Sequence, residues 1–298
     1  MNSKELFHEL NQTRHHDTRW QQPNLFQETP TNLTHEYWLY SDLHNIFGEQ
    51  AFPTNKRMED AVYEKLILPN DCESPKFKQQ HFDIIHHTYT LGYRTFQNAI
   101  DLKLSRYACW SLLKHTFNNV FAQTYFLSPV IADNMDYYTL YDTASEFARV
   151  DLRQDLTKAE KILSGILYNK HFNIKDFYNS TSIALFNGMT SDEIKETYHI
   201  PNKKDDPIAN YMGRHVLHAR IAALHRTFDT YNRGADKSII RLEEILCDEL
   251  FNQRVDMINK TGRRPEQDIK TTHIDKVKKE LLNAEQQFIQ KYSIQNIR

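Results

Sequence analysis

The chain has 298 residues, 37 Lys+Arg against 39 Asp+Glu for a formal net charge of -2, with 40% hydrophobic and 12% aromatic content. That length and apolar content supply enough material for two domains with substantial cores and argue against disorder. The balanced charge excludes a protein that grips nucleic acid along most of its surface.

The longest apolar runs are broken by charge every few residues, and no apolar leader opens the chain. Cys72, Cys109 and Cys247 lie far apart without a CxxC pair, so the expected setting is the reducing cytoplasm, with neither a disulfide framework nor a zinc knuckle.

Residues 1–32 are polar and carry no sustained period, which predicts a short helix near Lys4–Leu10 and then an extended arm. EYWLYSDLHNIFG predicts a short aromatic strand, a Ser41 cap, a brief helix through Phe47 and a stop at Gly48. A second helix is expected from Asn55 to Leu68, with Met58, Ala61, Val62 and Leu66 on one side and Lys56, Arg57, Asp60 and Glu64 on the other. Two short helices joined tightly resemble a helix-turn-helix, a pattern shared with many proteins that never meet DNA.

From His81 to Ser105 the β-branched and aromatic residues predict a hairpin or wing around Gly92, although Ile84–His87 also fit the start of a helix. Arg94 falls near the tip. Lys103 points away from the Leu102/Leu104 side, as the two-residue period of a strand requires. Next, LKLSRYACWSLLKH predicts a core helix capped by Ser105, with Tyr107, Ala108, Trp110, Leu112 and Leu113 covering more than one face. Arg106 in its first turn opposes the helix dipole and calls for an anion there, either a phosphate or a neighbouring carboxylate.

The second half reads as helical. Phe147, Leu152, Leu156, Ala159, Leu163 and Ile166 predict a long linking helix over Tyr138–Tyr168. Asp206-Pro207 signals a helix continuing through Met212, Leu217, Leu224 and Phe228, and Asp236 signals another ending at Thr261-Gly262. A last helix over Thr272–Tyr292 carries Ile274, Val277, Leu281, Ala284 and Phe288 on a stripe, short for a homodimer seam and suited to packing on its own body.

The string LSRYACW, followed at once by VFAQTYF, resembles the central signature of the DNA-damage-inducible protein D (DinD) family. Weaker likenesses extend along the chain: Tyr37-Trp38 with Leu43 and Gly48, His81-Phe82, Phe147–Leu156, Leu185 with Gly188, Met212-Gly213, and Gly262, Pro265 and Glu266. Departures from the family pattern are Tyr40 in place of a basic residue, Asn187-Gly188 in place of paired glycines, and Asp205, Asp206 and Pro207 interrupting a basic run.

The resemblance implies an α+β, BRO-N-like DNA-binding domain over 33–130, followed by a mostly helical C-terminal domain over 131–298. It further implies an accessory role in the SOS response, on RecA recombinase filaments and their DNA. Lys56, Arg57, Arg94, Lys103 and Arg106 are the expected DNA contacts. Lys203, Lys204, Arg214, Arg220, Arg263 and Arg264 are a candidate second basic patch, or scattered solubilising charge. The other readings are a phage-type antirepressor or transcription regulator, and a metal-dependent nuclease.

Enzymatic signals are thin. With 7 glycines and no phosphate loop, dinucleotide fingerprint or GxSxG elbow, no cofactor is expected. His215, His218 and His225 share a helix face, but no carboxylate or cysteine nearby completes a metal set. Asp133, Asp136 and Asp142 could bind Mg²⁺ in a nuclease, and equally suit an acidic solvated linker.

Overall fold

The computed structural model describes residues 1–17, 35–53, 81–90, 96–116, 119–131, 135–169, 174–201 and 206–292. The chain is helix-rich with one small antiparallel sheet, an α+β arrangement. It groups into two units, Met1–Ala144 with Leu282–Arg298, and Ser145–Leu281. Among the described residues no helix is long and apolar enough to cross a membrane.

The first unit opens with helix α1 (Ser3–Gln12), whose Asn2 side chain accepts from the Lys4 and Glu5 amides while the Glu5 carboxylate accepts the Asn2 amide. This reciprocal cap satisfies donors that a helix start leaves unpaired. Leu6 and Leu10 are buried, and the Trp38 indole N–H donates to the Leu10 carbonyl at 3.0 Å. The start of the expected polar arm is therefore core structure. The helix expected near Lys4–Leu10 is present, and two apolar positions, Leu6 and Leu10, suffice to dock it.

Strands β1 (His15–Asp17), β2 (His35–Leu39), β3 (Phe82–Thr90) and β4 (Phe96–Ser105) form an antiparallel sheet in the order β1-β2-β4-β3. Residues 84–87 are strand throughout. Trp38 pairs with Leu104, and these two with Leu102 are buried. The other face carries Tyr37 and Lys103, as the alternation of a half-buried sheet requires.

Helix α2 (Tyr40–Phe47) follows β2 directly and stops at Gly48, whose φ of 79° suits glycine. Ser41 is not its cap. The Ser41 amide and hydroxyl both donate to the buried Asp101 carboxylate, at 3.1 and 2.5 Å, so Leu39 takes the capping position without a side-chain bond.

Helices α3 (Arg106–Thr116) and α4 (Val120–Ile131) complete this part, and the Ser105 hydroxyl accepts the Ala108 amide at 3.2 Å as a cap should.

The second unit takes most of α5 (Tyr137–Asn169), then α6 (Ile174–Leu185), α7 (Ser191–Thr197), a 3₁₀ turn at Ile208–Tyr211, α8 (Arg214–Arg233), α9 (Ile239–Thr261) and a 3₁₀ turn at Pro265–Asp268. The last helix, α10 (Ile274–Tyr292), begins in this unit and ends in residues grouped with the first. Leu156, Leu163, Leu167, Phe177, Leu217, Leu224 and Leu246 contribute to a single apolar core.

Asp206-Pro207 does not open a long helix. Arg149, with no exposed surface, donates to the carbonyls of Met212 (2.9 Å), Asn210 (3.2 Å) and Thr272 (3.1 Å), and Met212 forms an antiparallel bridge with Ile269. Those bonds hold the backbone out of helical register until Arg214. Ser238, not Asp236, caps α9 by accepting the Arg241 amide, while Asp236 accepts the Ser238 amide. Gly262 ends α9 in the left-handed conformation.

Candidate nucleic-acid interface

In the first unit Lys56, Arg57 and Arg94 lie outside the described residues. Lys103 is half-exposed on β4, opposite Leu39 and Asp83 in the register. Its ammonium sits 4.8 Å from the centre of the Tyr37 ring, against which His15 stacks at 5.1 Å. His15 Nε2 is 3.6 Å from the Asp42 carboxylate. One row of half-exposed imidazole, phenol and ammonium thus crosses β1, β2 and β4.

Arg106 does not join that surface. Its side chain is 8% exposed and its Nε and Nη2 reach Glu36 Oε2 at 2.9 and 2.5 Å, while Nη1 donates to the Tyr125 carbonyl at 3.0 Å. The guanidinium also lies over the rings of Trp38 and Tyr125. The anion that the helix start calls for is the Glu36 carboxylate, and a buried guanidinium bonded through all three nitrogens is held beneath the surface that a phosphate would meet. Glu36 stands two residues before Trp38 on the same strand, hence on the same face. That signal was present in the sequence, but the pairing of this strand with the end of β4 was not.

In the second unit Lys203 and Lys204 lie outside the described residues. Arg220 leaves the predicted patch: it is buried, pairs with Glu160 at 3.1 Å and lies over the Tyr178 ring. Glu160 also receives Arg153 at 3.5 Å, and Arg153 donates to Asn210 Oδ1 at 2.9 Å. A buried cation needs a close carboxylate, and α5 supplies it one layer beneath the surface.

The rest of that patch converges. Arg263 and Arg264 are exposed and make no ion pair among the described residues. Burial depresses the pKa of His215, Asp268 works against that shift, and the charges of Arg214, Arg263 and Lys270 add to it, so all four groups lie within electrostatic range of one ring. His218, exposed one turn along α8, is depressed by burial, Arg214 and His215. Lys270 lies 3.5 Å from Glu146 and 4.0 Å from Asp268.

The amides of His215 and Val216 at the start of α8 are taken by Asp268 Oδ2 at 3.0 and 3.3 Å, so the positive character of this surface comes from side chains. Sequence reasoning missed Lys270 and Asp268. They lie more than fifty residues downstream and arrive through the Met212–Ile269 bridge.

Asp133 lies outside the described residues, Asp136 accepts the Thr139 amide at 2.8 Å, a bond that lowers its pKa, and Asp142 is exposed. Among the described residues no group of three His, Cys, Asp or Glu could hold a metal ion. A pocket bordered by Glu160, Tyr178, Thr181 and Arg220 has about 10 Å³ of free volume, room for one water and not for a substrate. No protein-family model, curated protein or solved structure matches the chain.

Proposed function

We propose that this protein is a DNA-binding accessory factor without chemistry of its own, acting in the DNA-damage (SOS) response. The observation that carries the reading is the gathering of Arg214, Arg263 and Lys270 around His215, with exposed Arg264 next in the chain. Cations gathered beside the start of α8 suit backbone phosphates, which position a protein on nucleic acid without specifying sequence. The Lys103–Tyr37–His15 row adds an aromatic and cationic face of the kind on which unpaired bases stack.

The BRO-N-like character of the first unit and the RecA filament as partner rest on the resemblance of LSRYACW and its neighbours to the DinD family. The near-neutral charge fits a local footprint and not a general DNA-coating protein.

The test is a salt-series binding titration on single-stranded and duplex DNA, with and without Mg²⁺. Replacing Arg214, Arg263 and Arg264 together by Ala should flatten the dependence of log K on log salt, by about one for each phosphate no longer neutralised. A folded triple variant with an unchanged slope removes this surface from the interface. Metal-dependent cleavage by the wild-type protein overturns the non-enzymatic reading.

A further inference from the structure

Two imidazoles sit inside the cationic surface of the second unit, and DNA binding through arginine and lysine alone does not use them. His215 is half-buried and His218 exposed, three residues apart on α8 and so neighbours on one helix face. Asp268 of the second 3₁₀ turn accepts the His215 amide at 3.0 Å and has the Lys270 ammonium 4.0 Å from its other oxygen, and the charges acting on His215 are those of Asp268, Arg214 from its own helix, Arg263 from the turn after α9, and Lys270. Glu146 of α5 reaches the group through its pairing with Lys270. Among the described residues the carboxylate that acts on His215, Asp268, accepts the amides of His215 and Val216.

We propose that a phosphodiester backbone seated on this surface draws protons from solvent onto His215 and His218, so that the grip on DNA tightens as the pH falls below neutral. The inference rests on the DNA-binding reading of the same surface and adds its regulation.

The physical argument is one of balance. In the free protein the imidazolium form of His215 is disfavoured by partial burial and by Arg214, Arg263 and Lys270, and that of His218 by partial burial, Arg214 and His215, so both rings favour the neutral form near pH 7. A phosphate brought among those cations offsets their field, and a protonated ring gains both an opposite charge and a charge-assisted hydrogen bond. Because each ring binds its proton more tightly in the complex than in the free protein, linkage requires that DNA bind more tightly where the rings are protonated.

Each proton fully coupled to binding changes affinity by about tenfold per pH unit over the range between the free and bound ring pKa values. His225, exposed about two turns beyond His218 on α8, serves as the internal control.

The test is isothermal titration calorimetry of the full chain with a single-stranded oligonucleotide and its duplex. Measurements run from about pH 5.5 to pH 8 at fixed low salt, in buffers of different ionisation enthalpy so that protons taken up are counted directly. The wild-type protein is expected to gain affinity by about tenfold or more between pH 8 and pH 6 and to take up protons on binding. His225→Gln should behave like wild type. His215→Gln with His218→Gln should lose both the uptake and most of the gain in affinity between pH 8 and pH 6, whatever its affinity at pH 8.

Binding with no proton uptake, or uptake that persists in the double glutamine variant, overturns the proposal and leaves the DNA-binding reading intact. Absence of binding at every pH overturns both.

Discussion

Gly213 offers the sharpest test of the architecture beneath the proposed surface. A methyl group at this position would stand 2.2 Å from Asp268 Oδ1, 2.3 Å from its Cγ and 2.5 Å from its backbone oxygen. The glycine φ of -73° is one that alanine adopts freely, so the cost of Gly213→Ala is steric and falls on Asp268. Clearing the methyl requires moving the 3₁₀ turn by most of an ångström. That movement breaks the 2.6 Å bond from the Gly213 amide to the Asp268 carbonyl and the capping bonds to His215 and Val216, and it strains the 2.7 Å bond from the Lys270 amide to Tyr211.

Loss of the cap costs about 1 kcal/mol, and each further buried bond left unmade costs about another 1 kcal/mol. The sum is about 2 kcal/mol before the strain on the Lys270 bond, a large share of the 5–15 kcal/mol that holds a typical domain together. Gly165, exposed in the interior of α5 with nothing within 4 Å of an added methyl, supplies the opposite case, and Gly165→Ala should stabilise by about 0.5–1 kcal/mol. Urea unfolding at neutral pH, followed by far-ultraviolet circular dichroism, should lower the midpoint for the first variant and raise it for the second. Equal signs, or an unaltered midpoint for Gly213→Ala, would refute the close approach.

Arg149→Met should destabilise the second unit by about 3–5 kcal/mol, since three carbonyls and Glu146 lose a buried cation, and chemical denaturation reads it. Phe288→Ala should cost the first unit about 3–5 kcal/mol, because the buried ring fills space against Tyr107 and Trp110. Tryptophan fluorescence isolates that loss, since Trp20, Trp38 and Trp110 all lie in residues 1–144, and a fragment ending at Ala144 should show the same weakness. Burial works to raise the Asp206 carboxyl, but bonds from Asn210 and Tyr211 and the pairing with His273 outweigh it and hold its pKa down. Its contribution to stability is therefore present above the ordinary 3.8 and lost as pH falls through the lower folded value, and Asp206→Asn should flatten that acid limb of the denaturation profile. Tyr211 is pushed up to about 12 by burial and by Asp206, so its share holds up to pH 10 and is lost as pH rises through about 12; Tyr211→Phe should reduce by one tyrosine the late amplitude of an absorbance titration, to which the raised Tyr40 also contributes.

Local periodicity carried the elements whose own residues decide them. Phe147 to Ile166 at three- and four-residue spacing specifies a helix wherever it packs, and Ser105 caps α3 through an atom three residues away. The alternation around Lys103 and the glycines at 48 and 262 belong to the same class, because the period of two and the positive φ are properties of a few consecutive residues.

What a charged side chain does was decided by partners distant in sequence. Arg106 and Arg220 read like surface cations from their neighbours, yet Glu36 and Glu160, 70 and 60 residues away, draw them inside. Arg149 reaches Asn210, Met212 and Thr272 to break a helix that Asp206-Pro207 announces, and Asp268 and Lys270 come to α8 through a single bridge. A carboxylate can neutralise a guanidinium from any point of the chain, because the Coulomb interaction depends on distance in space and on burial, and neither is written in local sequence.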